Sequence, residues 1–315
     1  MRHIFIVNPA AGSHDSTKEV AERLKCFDGK IDYEIYCTKG RGDATEYVKM
    51  TASETTEKCR FYACGGDGTL NEVVQGVVGH SNASVSVLPC GSGNDFIKYY
   101  GTAEDFNDLE SLINGVEHNI DVMKVFDKYS INVVNFGFEP AVVKTMEKVK
   151  RIKFMTGKKA YFVGIFTALI NAMKTHAKVL VDGEKIGKDC LLLGSVANGS
   201  YVGGSFKCAP KSLDDDGLMD VCIVNAISRL KFISLIGLYK NGTHLDSPKA
   251  VGIINYKKGK SVEIIGDDEL CHCIDGELNY SKTIKIEVLE RAIKFAVPEK
   301  IAENLGVKES EAVVC

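Results

Sequence analysis

The stretch that decides the fold is residues 60–77, which read RFYACGGDGTLNEVVQGV. The first five residues form a mostly apolar, strand-like run that enters a glycine-rich turn, and Leu70, Val73, Val74 and Val77 then recur at helical spacing. A strand, a tight loop and a helix in this order are typical of a βαβ unit, which builds a parallel sheet. The glycines let the backbone approach a phosphate closely, and the helix N-terminus offers it free N–H groups.

The same pattern continues on both sides of this stretch. Strands are predicted over residues 3–7, 33–37 and 84–88, and a capping box from Ser16 to Glu19 is predicted to open a helix that continues through Phe27. Polar or glycine-rich loops at residues 8–13, 65–69 and 91–95 therefore meet at the carboxyl edge of one sheet, where open α/β folds bind ligands. Asp67 would be unfavourable beside phosphates without a shared cation, which implies a divalent metal. The motifs of Walker and dinucleotide-binding sites are absent from the sequence.

After about residue 118 the pattern changes to consecutive strand-like runs, among them residues 283–289 and 292–297, with helix-like insertions near residues 140–174 and 228–240. Strands that follow one another without helices favour an antiparallel sandwich or barrel. We therefore predict an α/β domain over residues 1–118 and a β-rich domain over residues 119–298. Residues 299–315 are expected to begin with a short helix and to pack back on the first domain.

Composition excludes several classes of protein. The chain has 315 residues, is 45% hydrophobic and carries a formal charge of −3, so it has no global field that would attract nucleic acid. The apolar run before Asn8 and Pro9 is too short for a secretory signal, and the longest mostly apolar stretch, residues 160–170, is too short to span a bilayer. We expect a cytoplasmic protein that does not bind nucleic acid.

A series of motifs keeps its order from residue 8 to residue 277. The motifs are Asn8-Pro9-x-x-Gly12, Thr38 with Gly42-Asp43-Ala44, residues 65–73, Pro89-x-Gly91-Ser92-Gly93-Asn94-Asp95-Phe96, Asp121, Asn198 with Gly203-Gly204, Ala209-Pro210, residues 214–221 and Asp275-Gly276-Glu277. Together they resemble those of the diacylglycerol kinase catalytic-domain lipid kinases, which include bacterial diacylglycerol kinase-like proteins and, more distantly, sphingosine and ceramide kinases. NAD kinases and phosphofructokinases share the Gly-Gly-Asp-Gly-Thr loop, but its combination with Gly-x-Gly-Asn-Asp and Asp-Gly-Glu is specific. The resemblance implies a Rossmann-like α/β domain of the phosphofructokinase and NAD kinase type, followed by an antiparallel β-sandwich domain.

The resemblance also implies roles for individual residues. ATP would be bound by residues of the glycine-rich loops, namely Asn8, Pro9, Gly12, Thr38, Gly65, Gly66, Asp67, Gly68, Thr69, Asn71, Gly91, Ser92, Asn94 and Asp95. Asp67 and Asp121 would belong to a water-linked network around a catalytic Mg²⁺, and oxygens of Leu213, Asp216 and Leu218 would hold a structural Mg²⁺. Glu277 corresponds to the proton acceptor of the family. This role is chemically reasonable, because an alkyl hydroxyl is a poor nucleophile until a positioned carboxylate takes its proton.

One segment indicates contact with a membrane. Residues 144–159 contain seven basic residues and one acidic residue, and the apolar side chains of Tyr161, Phe162, Phe166 and Leu169 follow at helical spacing. A basic stretch beside an amphipathic one is typical of a membrane-surface element, although a solvated face followed by a core helix has the same pattern. We expect peripheral association with an anionic membrane that carries the lipid substrate, and the sequence leaves a homodimer open.

The sequence therefore predicts an ATP- and Mg²⁺-dependent lipid kinase. Diacylglycerol is the favoured acceptor, and its product would be phosphatidic acid. Other hydroxylated lipids remain open as acceptors, namely a sphingoid base, ceramide or phosphatidylglycerol. Two alternatives from other classes are a soluble-substrate kinase similar to NAD kinase and a non-catalytic protein that binds lipid or nucleotide.

Overall fold

The structure is a computed structural model that describes residues 1–12, 15–91, 93–149 and 157–305. It divides into two compact units. The first contains Met1–Val122 and the described chain from Glu290 onward, and the second contains Met123–Leu289.

The first unit is built on parallel strands that helices connect. Its elements are β1 Arg2–Val7, α1 Thr17–Leu24, β2 Asp32–Cys37, α2 Asp43–Glu54, β3 Cys59–Gly65, α3 Asp67–Val77, β4 Ala83–Pro89, α4 Ala103–Asn107, α5 Leu109–Ile113, most of β5 Val116–Val125 and, later in the chain, the end of β14 Glu277–Val297 and α9 Glu299–Leu305. The sheet has the order β2-β1-β3-β4, and the last part of β14 pairs with β4, also in parallel. Every residue of β3 and β4 is buried, as expected for central strands covered on both faces.

The second unit is an antiparallel sandwich-like assembly. Its elements are β6 Lys128–Ser130, β7 Val133–Gly137, α6 Phe138–Val149, α7 Gly157–Asn171, β8 Thr175–Val181, β9 Glu184–Ile186, β10 Cys190–Ala197, β11 Met219–Asn225, α8 Arg229–Asn241, β12 Ile254–Gly259, β13 Ser261–Ile274 and the first part of β14. The strands include the order β12-β11-β10-β7-β13-β14, and β8 pairs with β10, β13 and β9. The core between the strands is apolar, with Phe136, Val179, Ile223 and Ile264 among its buried side chains.

The structure differs from the predicted division of the chain at the second boundary. The sequence placed residues 119–298 in the β-rich domain, whereas Glu290–Val297 belongs to the first unit. The reason is that the runs predicted as separate strands form one long strand, β14, whose end adds Lys294 and Phe295 to the parallel sheet beside β4. Helix α9 lies in the first unit, where the Lys300 N–H donates to Ser111 Oγ. Residues 306–315 lie outside the described residues.

The prediction of a capping box at the start of α1 is wrong. Ser16 has helical backbone angles, φ −81° and ψ −1°, and its side chain makes no capping hydrogen bond. An N-cap residue normally has extended angles, which point its oxygen at the free N–H groups of the first turn. Here the carboxylate of Asp15 accepts a hydrogen bond from the Thr17 N–H at 2.9 Å instead.

Candidate active site

The loop after β1 is held against the loops after β3 and β4. Asn8 Nδ2 donates to Thr69 Oγ1 at 3.1 Å, and the Asn8 N–H donates to the carbonyl of Cys64. Gly12 has φ +78°, and a Cβ there would lie 2.3 Å from the carbonyl oxygen of Cys90. Only glycine fits this position, because both the backbone angle and the contact exclude a side chain. Pro9 is half-buried in the same turn.

The loops after β3 and β4 approach each other backbone to backbone. The carbonyl of Gly65 accepts hydrogen bonds from the N–H groups of Cys90 and Gly91 at 2.9 and 3.0 Å. A Cβ at Gly91 would lie only 2.5 Å from the Cα of Gly66. This contact brings two glycine loops together at the N-terminus of α3, where unpaired N–H groups and the helix dipole favour an anion.

Asp67 is the first residue of α3 and is half-buried beside a second carboxylate, that of Asp95. Its Oδ1 accepts hydrogen bonds from the N–H groups of Asp95 and Phe96 at 2.6 and 3.4 Å. Burial and the charge of Asp95 raise the pKa of Asp67, although these hydrogen bonds and Lys98 act in the opposite direction. Lys98 Nζ lies 2.5 Å from Asp95 Oδ1. The loop therefore concentrates negative charge where the sequence predicts ATP and Mg²⁺.

The other predicted ATP-binding residues of the first unit lie on the same loops. The Thr38 N–H donates to the carbonyl of Val7, which fixes the start of the loop after β2 beside the end of β1. Gly68, Thr69 and Asn71 belong to the first turns of α3. Asn94 has φ +50°, and its Nδ2 donates to the carbonyl of Gly91 at 2.9 Å. The structure thus collects these predicted residues at the carboxyl edge of one sheet, and Ser92 lies outside the described residues.

The predicted catalytic Asp121 is fully buried in β5. Its Oδ1 accepts a hydrogen bond from the N–H of Arg291 at 2.7 Å, where β14 carries a residue with φ +50°. This contact ties β5 to β14. Membership of Asp121 in a water-linked Mg²⁺ network stays a prediction.

Glu277 lies in the second unit, at the end of a tight hairpin. Asp275 and Gly276 have φ +46° and +88°, so they form the two-residue turn that joins β13 to β14, and Ile274 pairs with Glu277. The Asp275 carboxylate accepts hydrogen bonds from the N–H groups of residues 131, 132 and 133 and from the hydroxyl of Ser130. These bonds fix the turn and with it the half-buried Glu277. Sequence reasoning identified the turn but not this positioning role of Asp275.

The predicted structural metal site is on the loop before β11. Asp216 Oδ1 accepts from the Leu218 N–H at 3.1 Å, and Asp216 Oδ2 lies 2.6 Å from Lys258 Nζ. The side chain of Leu213 is 48% exposed. A cation held by Asp216 would therefore compete with the Lys258 ammonium, and the assignment of Leu213, Asp216 and Leu218 stays a prediction.

A buried polar cluster in the second unit was not predicted. Glu139, in the first turn of α6, accepts a hydrogen bond from the Tyr239 hydroxyl at 3.3 Å, and this hydroxyl lies 3.1 Å from Ser195 Oγ. Burial raises the pKa of Glu139 to about 7, while Tyr239 and Asn135 lower it. The sequence has no signal for this cluster, because its members come from β7, α6, β10 and α8.

The basic segment 144–159 is described only in part. Residues 150–156 lie outside the described residues, and so do the side chains of Lys158, Lys159, Tyr161 and Phe162. Lys144 Nζ lies 5.4 Å from the centre of the Tyr280 ring. The membrane role of this segment stays a prediction.

Comparison with known proteins decides the family. The model of the diacylglycerol kinase catalytic domain matches residues 2–125, and the model of the YegS C-terminal NAD kinase beta sandwich-like domain matches residues 132–297. The chain belongs to the diacylglycerol kinase catalytic-domain family. The resemblance drawn from the motifs and the predicted fold class are thereby confirmed.

Relatives of known name match nearly the whole chain. A protein of Bacillus subtilis (strain 168) named diacylglycerol kinase is 29% identical over 307 residues, which is 96% of this chain and 98% of the relative. A Bacillus anthracis str. Sterne structure assigned to the diacylglycerol kinases has a TM-score of 0.74 and 26% identity and covers 94% of this chain and 97% of its own. An NAD kinase from Archaeoglobus fulgidus in complex with ATP has a TM-score of 0.52 and 12% identity, with 97% of both chains covered, and so shares the fold. Membership of this family establishes that the protein is a kinase.

Among the helices that the structure describes, none is both long and apolar enough to cross a bilayer.

Proposed function

We propose that this kinase transfers the γ-phosphoryl group of ATP to the hydroxyl of a membrane lipid, with diacylglycerol as the preferred acceptor. The observation that carries the proposal is the close approach of two glycine loops at the N-terminus of α3, where a Cβ at Gly91 would clash with the backbone of Gly66. Such a backbone-lined, side-chain-free surface at a helix N-terminus suits the phosphates of a nucleotide.

The first unit would bind ATP through groups that are already positioned. The N–H groups at the start of α3 face outward from a helix of eleven residues, so the positive end of its dipole is available to the phosphates. Asn8 and Thr69, which are hydrogen-bonded to each other, form the polar edge of this surface. These residues orient the nucleotide, which aligns the γ-phosphorus for attack.

The carboxylates of this loop suit a divalent cation. Partial burial and the neighbouring Asp95 both raise the pKa of Asp67, so a cation shared with the phosphates would relieve both costs. Asp67 and Asp95 are therefore the residues that would hold Mg²⁺ in the first unit. Bound there, Mg²⁺ would neutralise charge on the phosphates.

Glu277 would act on the acceptor. Its carboxylate takes the proton of the lipid hydroxyl as the oxygen bonds to the γ-phosphorus, while the bond from that phosphorus to the β-phosphate oxygen breaks and ADP leaves with the electron pair. The Asp275 turn supports this role, because four hydrogen bonds hold the residue two positions before Glu277 in place. The names of the full-length relatives support diacylglycerol as the acceptor.

Transfer from γ-labelled ATP to a panel of acceptors tests the proposal. The panel contains diacylglycerol, a sphingoid base, ceramide and phosphatidylglycerol, with NAD as the soluble control. We expect label in phosphatidic acid, and we expect Glu277→Gln to lower kcat by about 10²-fold or more with ATP binding retained. Glu287→Gln, an exposed glutamate on the same strand, is the matched control and should change neither.

Two outcomes would contradict the proposal. Label in NAD but in none of the lipids would make the protein a soluble-substrate kinase. A Glu277→Gln variant with more than about a tenth of the wild-type kcat would remove Glu277 as the proton acceptor, because loss of such a group costs far more than this.

A further inference from the structure

Two helix ends of the second unit present large apolar side chains to solvent. Phe166 and Ile170, one turn apart near the end of α7, are 67% and 53% exposed. Leu230 and Ile233, in the first turns of α8, are 82% and 60% exposed. Side chains of this size and exposure are seldom grouped on the surface of a soluble domain unless the surface contacts a partner.

The two pairs belong to one surface. Arg229 donates from Nε to the carbonyl of Leu169 at 2.6 Å and from its guanidinium Nη2 to the carbonyl of Ile170 at 2.8 Å, so the start of α8 caps the end of α7. Ile170 and Leu230 line the same hollow of about 510 Å³. The opposite faces of the helices pack into one apolar cluster through Ala168 and Phe232, which leaves the exposed pairs facing outward.

The two chain segments that form this surface carry basic residues and no acidic ones. Residues 148–181 and 221–245, which contain both helices, include no aspartate or glutamate. Lys174 lines the hollow, and Lys231 follows Leu230. Apolar side chains surrounded by flexible amines fit the boundary of an anionic bilayer, where the apolar groups enter the acyl region and the amines remain beside the phosphates.

From this arrangement we propose that the helix-end surface, defined as Phe166, Ile170, Lys174, Leu230, Lys231 and Ile233, docks the second unit on an anionic lipid bilayer. A second copy of the chain fits less well, because a two-fold interface would place the same basic groups opposite each other with no acidic partner from these helices. The inference deepens the proposed function and rests on it, since a lipid acceptor resides in a membrane.

Vesicle sedimentation without ATP tests the surface directly. The probes are phosphatidylcholine vesicles with and without phosphatidylglycerol, at low and at high salt. The wild type should bind the anionic vesicles, and Leu230→Ser with Ile233→Ser should weaken this binding by about tenfold for each side chain removed. Lys174→Glu with Lys231→Glu should weaken it at low salt and have little effect at high salt. Arg229 is left unchanged, because it caps α7.

Matched controls separate docking from folding and from catalysis. Val251→Ser replaces a side chain of the second unit that is 80% exposed and lies outside the helix-end surface, so it should leave vesicle binding unchanged. Circular dichroism should show the same melting temperature for all variants, because the substituted side chains are exposed. Phosphoryl transfer to a short-chain diacylglycerol dispersed as monomers should also be unchanged in the Leu230 and Ile233 variant.

Vesicle binding and phosphoryl transfer, measured on the same variants, separate the docking surface from the proposed function. Loss of vesicle binding with retained transfer to the dispersed substrate supports the surface. Vesicle binding that is insensitive to both double variants overturns it, and so does a wild-type dimer that becomes a monomer in the Leu230 and Ile233 variant without loss of vesicle binding. If the wild type transfers phosphate to no acceptor but its vesicle binding depends on Leu230 and Ile233, the surface stands and the proposed function fails.

Discussion

Replacing Glu139 by glutamine should stabilise the protein at alkaline pH. Glu139 is half-buried at the start of α6 with its Oε2 shielded from solvent, and burial raises its pKa to about 7 from an ordinary value of 4.5. Glutamine has the shape of the protonated acid and keeps the oxygen that accepts the hydrogen bond from Tyr239. The substitution therefore removes the ionisation of the buried group and conserves its packing.

The sign follows from proton binding. Between the two pKa values the unfolded chain has released the proton of Glu139 and the folded chain still holds it, so the free energy of unfolding falls as pH rises and levels off above about 7. Glutamine does not ionise, so the free energy of unfolding of the variant does not fall in this way as pH rises. One pKa unit corresponds to about 1.4 kcal/mol. The free energy of unfolding of the glutamine variant should therefore exceed that of the wild type by about 1 kcal/mol at pH 5.5 and about 3 kcal/mol at pH 8.5.

Urea unfolding followed by far-UV circular dichroism measures this difference, since the chain contains no tryptophan for fluorescence. The comparison uses the transition in which the second unit unfolds. Glu147→Gln, an exposed glutamate on the same helix, is the control and should give a difference that does not change with pH. An advantage of the Glu139 variant that is equal at the two pH values would refute the argument that its carboxyl is buried and titrates near neutrality.

Three further predictions concern the loops and turns. Gly91→Ala should lower ATP affinity by about tenfold or more, measured by calorimetry, because its Cβ would lie 2.5 Å from the Cα of the facing loop. Gly237→Ala, on an exposed helical position with no atom in the way, should leave ATP affinity unchanged and raise stability by about 0.5–1 kcal/mol. Asp67→Asn should make ATP binding less dependent on Mg²⁺, and an unchanged Mg²⁺ titration would exclude Asp67 as a ligand. Asp275→Ala should lower the free energy of unfolding by about 2–4 kcal/mol, because it leaves one hydroxyl and three N–H groups without their acceptor, whereas the exposed Asp268→Ala should have little effect.

Local signals in the sequence were sufficient to predict the parallel sheet of the first unit but not the cap of its first helix. A parallel sheet could be predicted because each strand is a short apolar run followed by a polar or glycine-rich loop, and such patterns depend on neighbouring residues alone. The cap at Ser16 was mispredicted because Ser-x-x-Glu specifies a capping box only when the serine is extended, and here its backbone is helical.

Features that depend on distant residues could not be predicted. Glu139 stands in a helical segment where an acid usually faces solvent, and its burial depends on Tyr239, a hundred positions away. The continuity of β14 was missed for a similar reason. Its first half is paired with β13 and its last residues with β4, and neither pairing is encoded in the alternation of its own residues.

The two candidate cation sites differ in how much positive charge already lies beside their carboxylates. At Asp216 a lysine ammonium already lies 2.6 Å from the carboxylate, so the site is balanced without a metal and a cation must displace Lys258 to bind. At Asp67 burial and a second carboxylate both act against ionisation, although Lys98 is paired with Asp95. Phosphates bound at the start of α3 would add more negative charge there. The need for a divalent cation is therefore greater at Asp67, and Mg²⁺ should be recruited there together with the nucleotide.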